Sequence, residues 1–447
     1  MRRAPHLGHP ARVLTARVLT VRVLLAGVAL APSARASAQQ WGAGLTAGAE
    51  TGTITNPRYQ AAGDSTDVVS RARLGVGVTR RAPRTTLLAA AHGDWQRFRS
   101  AAGLSQRTGG ASIGAERRVT PRLTARGGLA AQTLLSRGVV MATGLAPATP
   151  ATPGDDASGD GFDLPAVDGL PILPLARTRT SAATTGAELR ASARTTLTAD
   201  GGLARVSFDA PGLAGGTNVQ ARLRAVRQFT GDDLVGLAVQ SERTTLGGQR
   251  PVDQRLVDPP LPPQPLAGRP LTTQSALVDW TTARLPGALR LRLAAGVSVF
   301  APAPRTVATR PVGGAELGGA ALEGAWAVRY ARSVSPAFGL GQIVASDQAG
   351  ASYARVVPGG LVTRLGYDRA WLHTPALPGG RLVTAVSTAE VQRAIVAGLW
   401  AGVSGARYTR AQGPAVRSRD LTLRAGYAHA WGAARGATAV SRPSRHP

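Results

Sequence analysis

The sequence predicts an all-β fold, an antiparallel up-and-down transmembrane β-barrel of about 18 strands, in a range of roughly 14–18. Three observations carry that expectation. Apolar and polar residues alternate with period two over many segments. The gaps between those segments are short and long in turn. No stretch of ~18 uninterrupted apolar residues exists, so helical spans are not expected. The alternation is clearest at 289–299, where Leu289, Leu291, Leu293, Ala295, Val297 and Val299 interleave with Arg290, Arg292, Ala294, Gly296 and Ser298. Side chains on a strand point alternately to opposite faces, so this segment has one oily face and one bearing two arginines.

Residues 1–38 read as a signal peptide. Arg2, Arg3, Arg12, Arg17 and Arg22 make a basic start, Val23 to Leu30 is a short apolar core, and Ala36-Ser37-Ala38 is a small-residue cleavage site before Gln39. The whole chain carries +27, all of it from arginine. Residues 1–38 hold six arginines and no acid, which leaves about +21 on the mature chain. Cysteine is absent, which excludes disulfides, thiolate sites and an acylated N-terminal cysteine. Aromatics make up only 4%, few for a packed aqueous core of this length.

The barrel is expected over 39–431, with a polar C-terminal tail at 432–447. Its candidate strands are 41–51, 67–79, 85–98, 104–117, 122–136, 177–197, 203–209, 217–229, 233–245, 271–283, 288–300, 317–333, 337–345, 350–357, 361–373, 381–392, 395–409 and 419–431. Short gaps fall after even strands, at 80–84, 118–121, 198–202, 230–232, 284–287 and 358–360. Longer ones fall after odd strands, at 52–66, 137–176, 246–270, 301–316 and 410–418. Outer-membrane barrels have short periplasmic turns and long external loops.

Faces follow from the alternation. In 122–136 the outward set runs Leu123, Ala125, Gly127, Leu129, Ala131, Thr133 and Leu135, against Arg122, Thr124, Arg126, Gly128 and Gln132. In 217–229, Val219, Ala221, Leu223 and Ala225 oppose Gln220, Arg222, Arg224 and Gln228, while Arg227 breaks the rhythm and belongs near a strand end or bulge. In 67–79 a bulge near Arg71 is expected to set Arg71 and Arg73 against Val68, Ala72, Leu74, Val76 and Val78. A charge facing lipid at mid-height costs ~2–4 kcal/mol, so the arginines should face the interior. The expected pore-lining residues are Arg71, Arg73, Arg122, Arg126, Arg222, Arg224, Arg290, Arg292, Arg364, Arg424, Asp279 and Asp368, with Asp94, Glu116, Glu188 and Glu242 as further inward acids. Trp41, Trp95, Phe98, Phe229, Phe300 and Trp431 stand near segment ends, as interfacial aromatics do.

With these segments in view, the chain resembles the bacterial outer-membrane β-barrel proteins. Its last strand, Leu421 to Trp431, is similar to the C-terminal assembly signal of that class. The resemblance implies that Leu423, Ala425, Tyr427 and Trp431 are read by the barrel-assembly machinery; the departure from the pattern is that Gly432 to Pro447 follow Trp431. It also implies an outer-membrane location and lipid as the immediate partner.

Chemistry-bearing motifs are sparse. Asp155, Asp156, Asp160, Asp163 and Asp168 cluster in the 137–176 gap without the spacing of a calcium loop, and that loop could instead fold inward as a constriction. The proline-rich run 259–265 reads as a stiff external segment. His92, Asp94 and Gln96 share a face, and Ser112 within Gly110-Ala111-Ser112-Ile113-Gly114 could lie diagonally from His92. A nucleophile elbow, however, needs a strand-to-helix turn. His373, His429 and His446 are scattered, so neither a metal nor a cofactor is expected. Cations spread one or two per strand argue against nucleic acid as a partner. The reading is a passive diffusion pore with an arginine-lined, anion-preferring lumen. The alternatives are a sealed structural or adhesive barrel and, third, a hydrolase barrel.

Overall fold

The computed structural model describes residues 40–56, 65–101, 103, 105–136, 140–141, 176–209, 213–247, 270–286, 289–303, 306–321, 323–338, 342–373, 381–396, 398–411 and 415–432. The strands are β1 (Gln40–Thr55), β2 (Thr66–Ala82), β3 (Thr85–Phe98), β4 (Gln106–Arg118), β5 (Leu123–Ser136), β6 (Val140–Met141), β7 (Ala176–Ser192), β8 (Thr195–Phe208), β9 (Gly216–Gln228), β10 (Asp233–Leu246), β11 (Pro270–Leu285), β12 (Leu289–Ala303), β13 (Thr306–Ala321), β14 (Gly324–Phe338), β15 (Gln342–Val357), β16 (Leu361–His373), β17 (Arg381–Val396), β18 (Leu399–Ala411) and β19 (Ala415–Gly432). Each long strand pairs antiparallel with its neighbours in sequence, and β1 closes the ring on β19 from Gly42↔Gly432 to Ile54↔Asp420. β6, only two residues long, pairs with the tip of β14, and β5 pairs directly with β7. The wall is therefore an 18-stranded antiparallel barrel.

Closure explains how strands this long can sit in lipid, because every wall strand pairs with a neighbour on both sides over most of its length. The outer face is oily: Leu74, Val76, Ile113, Leu129, Val219, Leu223, Leu237, Val278, Leu293, Leu365, Leu421 and Leu423 all point away from the barrel and are exposed. Their neighbours of opposite parity carry the polar and charged groups. The chain thus has the fold of a transmembrane β-barrel. Connections at 83–84, 119–122, 193–194, 229–232, 286–288, 322–323, 358–360 and 397–398 are two to four residues long, and β1 starts and β19 ends on that same rim. The opposite rim carries the long connections 137–175 and 247–269. Short turns mark the periplasmic side.

Several boundaries differ from expectation. The 198–202 gap lies inside β8, and the turn sits at 193–194, so 177–197 is the end of one strand and the start of the next. The 301–316 gap is largely strand β13, despite Pro311. The candidate segments 337–345 and 350–357 resolve into one hairpin, β14–β15. No bulge occurs near Arg71: β2 pairs in unbroken register with β1 and β3, because Arg71 and Arg73 already have the opposite parity to Leu74 and Val76. Arg227 is the second-last residue of β9, faces outward, and stacks its guanidinium 5.5 Å from the Phe229 ring centroid. Trp41 and Trp95 stand outward near opposite rims, but Phe98 and Phe300 turn inward and pack inside the barrel. Trp431 pairs with Ala43 through the backbone, and its side chain lies outside the described residues.

Candidate functional site: the barrel lumen

The inner wall of β1, β2, β16, β17 and β19 carries a chain of alternating charges. Arg71 Nη1 lies 2.7 Å from Glu50 Oε1, and its Nη2 lies 3.6 Å from Asp420 Oδ2. Arg424 reaches Glu50 at 3.1 Å and Glu390 at 3.4 Å, and Arg364 meets the other oxygen of Glu390 at 3.4 Å. Three guanidinium groups and three carboxylates thus form one connected network. It borders a cavity of about 780 Å³, to which Gln96, Ser352 and Tyr408 also contribute. Arg73, also on β2, pairs with Asp94 on β3.

A second arrangement recurs around the wall. Arg126 on β5 reaches across β7 to Asp200 on β8 at 2.8 Å. Arg224 on β9 crosses β10 to Asp279 on β11 at 3.0 Å. Arg329 on β14 crosses β15 to Asp368 on β16 at 2.6 Å. In each case a glycine stands on the strand between: Gly186, Gly236 and Gly350. A Cβ at any of the three would come within 2.3 Å of the acid's Oδ1. The missing side chain opens a passage at the level of the inner wall. A charge pair can then span alternate strands, which ordinary cross-strand neighbours do not reach.

Across from this wall, part of the lumen near the long-loop rim is occupied by the chain itself. Residues 333–338 at the end of β14 are buried without a break, on both faces. A wall strand leaves one face to lipid, so this hairpin end has folded inward. β13 stops pairing with it at Arg332, and its tip pairs instead with β6. Phe338 and Val334 pack with Val206, Leu246, Leu271 and Val312, and the Phe338 ring would lie 3.1 Å from a Cβ at Gly216 on β9. Ser335 Oγ donates to Glu242 on β10 at 3.5 Å, while Asn218 donates to the other oxygen of Glu242 and to Thr244 Oγ1 at 3.3 Å. The hairpin thus crosses the barrel and seats on the inner face of β8–β13. Glu242 faces inward but is covered by this contact.

Arg71, Arg73, Arg126, Arg222, Arg224, Arg290, Arg292, Arg364, Arg424, Asp279 and Asp368 all occupy inward-facing strand positions. Arg122 does not: it lies in the 119–122 turn at the rim, beyond the start of β5. Glu50, Asp200, Glu390 and Asp420, partners in the pairs above, were not anticipated, although each shares the parity of a neighbouring inward arginine or polar residue. The expectation that strand arginines face inward also fails near the rims. Arg205, Arg243, Arg369, Arg407 and Arg419 point outward, each within five residues of a strand end. There the oily belt has ended and the cost of facing out disappears.

Ser112 sits opposite Ala90, hence diagonal to His92 on the inner face. His92 Nε2 lies 3.8 Å from Asp94, whose other oxygen is held by Arg73. Gly110 to Gly114 run inside β4 in regular register, without the sharp turn a nucleophile elbow requires. Among the described residues no group of three or more histidines and acids could hold a metal. The five aspartates of the 137–176 loop lie outside the described residues. The part of that loop which is described, β6, pairs with the inward hairpin tip.

No protein-family model and no curated protein sequence matches the chain. Among solved structures it is similar to the outer membrane protein OpdK from Pseudomonas aeruginosa, at 11% identity and a TM-score of 0.46, covering 88% of this chain and 99% of that one. It is similar to Acinetobacter baumannii OccAB4, at 12% identity and a TM-score of 0.45, covering 88% and 99%. It is similar to the siderophore receptor PirA from Pseudomonas aeruginosa, at 9% identity and a TM-score of 0.44, covering 88% and 81%.

Proposed function

We propose that this barrel is a passive diffusion pore of the bacterial outer membrane for small polar solutes, with a preference for anions. The observation that carries the reading is the charged cavity of about 780 Å³ against the inner wall. Barrels of about this strand number enclose aqueous channels, and a side-chain-lined constriction selects solutes by size and charge. The path runs along the wall of β16–β19 and β1–β3. Its arginines Arg71, Arg364 and Arg424 attract anions, and Glu50, Glu390 and Asp420 temper that attraction by pairing with them. The expected preference is therefore modest. Lipid surrounds the belt, and assembly by the barrel machinery reads the last strand through Leu423, Ala425, Tyr427 and Trp431. The reading assigns no catalysis, cofactor or nucleic-acid partner.

The test is single-channel recording of the purified barrel in planar bilayers under a salt gradient. Discrete openings with a reversal potential of the anion-selective sign support the reading; a cation-selective sign overturns its charge preference. The hairpin packed across the lumen favours one other reading, a sealed barrel of structural or adhesive role, and a complete absence of conductance steps identifies it.

A further inference from the structure

The outer face of β18 and β19 carries an arrangement that the pore does not use. Arg407 lies directly opposite Arg419, and Arg417 stands one outward position further along the strand, opposite Thr409. All three residues are exposed. Directly opposed residues of one face hold their Cβ atoms about 4.5–5.5 Å apart, and like charges placed so repel. Among the described residues no acid pairs with them. The outward positions around them are Ala385 and Ser387 on β17 and Thr51, Thr53 and Thr55 on β1. Some outward arginines at this level do have an acid within reach. Arg332 has Asp347 at 3.6 Å and Arg177 has Asp209 at 3.7 Å. Below the trio the surface becomes oily: Val403, Leu421, Leu423 and Tyr427 face outward and are exposed. From Arg419 to Trp431 is twelve residues of strand. At about 3.3 Å per residue and a tilt near 40° this rises roughly 30 Å, close to the height of a lipid-facing belt. The three guanidinium groups therefore stand at the external edge of the belt, where acyl chains give way to headgroups.

We propose that Arg407, Arg417 and Arg419 bind the phosphate groups of a phosphorylated lipid in the external leaflet, its acyl chains lying on Leu421, Leu423 and Val403. Guanidinium forks match phosphate oxygens in paired hydrogen bonds, and an anion among them turns mutual repulsion into attraction. The oily strip directly beneath selects a lipid over a free anion. This inference rests on the barrel's residence in the membrane but not on its conducting solute.

The test is native mass spectrometry of the purified full chain in non-ionic detergent, with a boiled-against-unboiled gel confirming that each sample is folded. The probes are lipid A, which carries phosphates on a glucosamine backbone, the same lipid with its phosphates removed, and inorganic phosphate. Wild type should retain lipid A and not the dephosphorylated lipid. The variant R407Q/R417Q/R419Q should bind lipid A roughly 100-fold more weakly, from the loss of three surface cations. A matched triple, R80Q/R227Q/R393Q, removes outward arginines near the other rim and should retain it. Equal retention of both lipids by wild type overturns the proposal without any variant being needed. So does displacement of the lipid by millimolar inorganic phosphate, or undiminished binding by R407Q/R417Q/R419Q. Conductance of that variant should match wild type, so a barrel that fails as a pore can still pass this test.

Discussion

Arg329 reaches past an intervening strand to Asp368: its Nη2 lies 2.6 Å from Oδ1, over the bare backbone of Gly350. The same passage at Gly236 serves Arg224 and Asp279, but there the side chains are only 12% and 7% exposed, against 49% and 45% for Arg329 and Asp368. The two pairs should therefore respond differently. Arg224→Ala strands a buried carboxylate and should cost about 3–5 kcal/mol of stability, whereas Arg329→Ala should cost under about 1 kcal/mol. Urea unfolding in lipid vesicles, followed by tryptophan fluorescence, compares them. Equal losses would show that burial does not set the worth of these bridges.

The inward hairpin gives a second expectation. Phe338→Ala removes a wholly buried ring from the contact with β8–β13 and should loosen the hairpin at a cost of about 3–5 kcal/mol. Single-channel conductance should rise and become noisier. An unchanged conductance would mean that the hairpin does not limit the path.

Charge along the open wall is a third. Glu50→Gln with Glu390→Gln leaves Arg71, Arg364 and Arg424 without their main counter-charges. The reversal potential in a salt gradient should move further toward anion selectivity. Asp420, the remaining acid of that network, predicts a smaller shift in the same direction when replaced by Asn, since its ion pair with Arg71 is the longest at 3.6 Å.

The lipid-facing belt supplies the fourth. Leu223 is 64% exposed at mid-strand on the outer face of β9, between inward Arg222 and Arg224. Leu223→Arg should cost about 2–4 kcal/mol, while an Arg at inward Gln220 should be tolerated. Heat-modifiable gel mobility from outer-membrane fractions reports both.

Much of this architecture was legible residue by residue. In β9 and β12 the alternation places Arg222, Arg224, Arg290 and Arg292 inside and Val219, Leu223, Leu293 and Val297 outside, because lipid punishes any other phase. Turn chemistry misled at Asp200-Gly201-Gly202. These residues have the composition of a loop, yet Asp200 is needed in mid-strand for Arg126, and Gly202 gives room to Gln220. Pro311 misled similarly in β13. Those errors offset one another, so the strand number survived while several boundaries did not. The hairpin at 333–338 was beyond local reading. What distinguishes it is burial of both faces against strands about 20–130 residues earlier in the chain, and no local period encodes that.

The pairing of β1 with β19 joins the two ends of the barrel sequence, from Gly42 with Gly432 to Ile54 with Asp420. Until β19 is in place, β1 has one bare edge, and so does the last strand to have paired. Such edges recruit other chains, and contacts so distant in sequence form slowly. A chain truncated before residue 415 leaves β1 without this partner, and it should accumulate as aggregate or be degraded instead of closing.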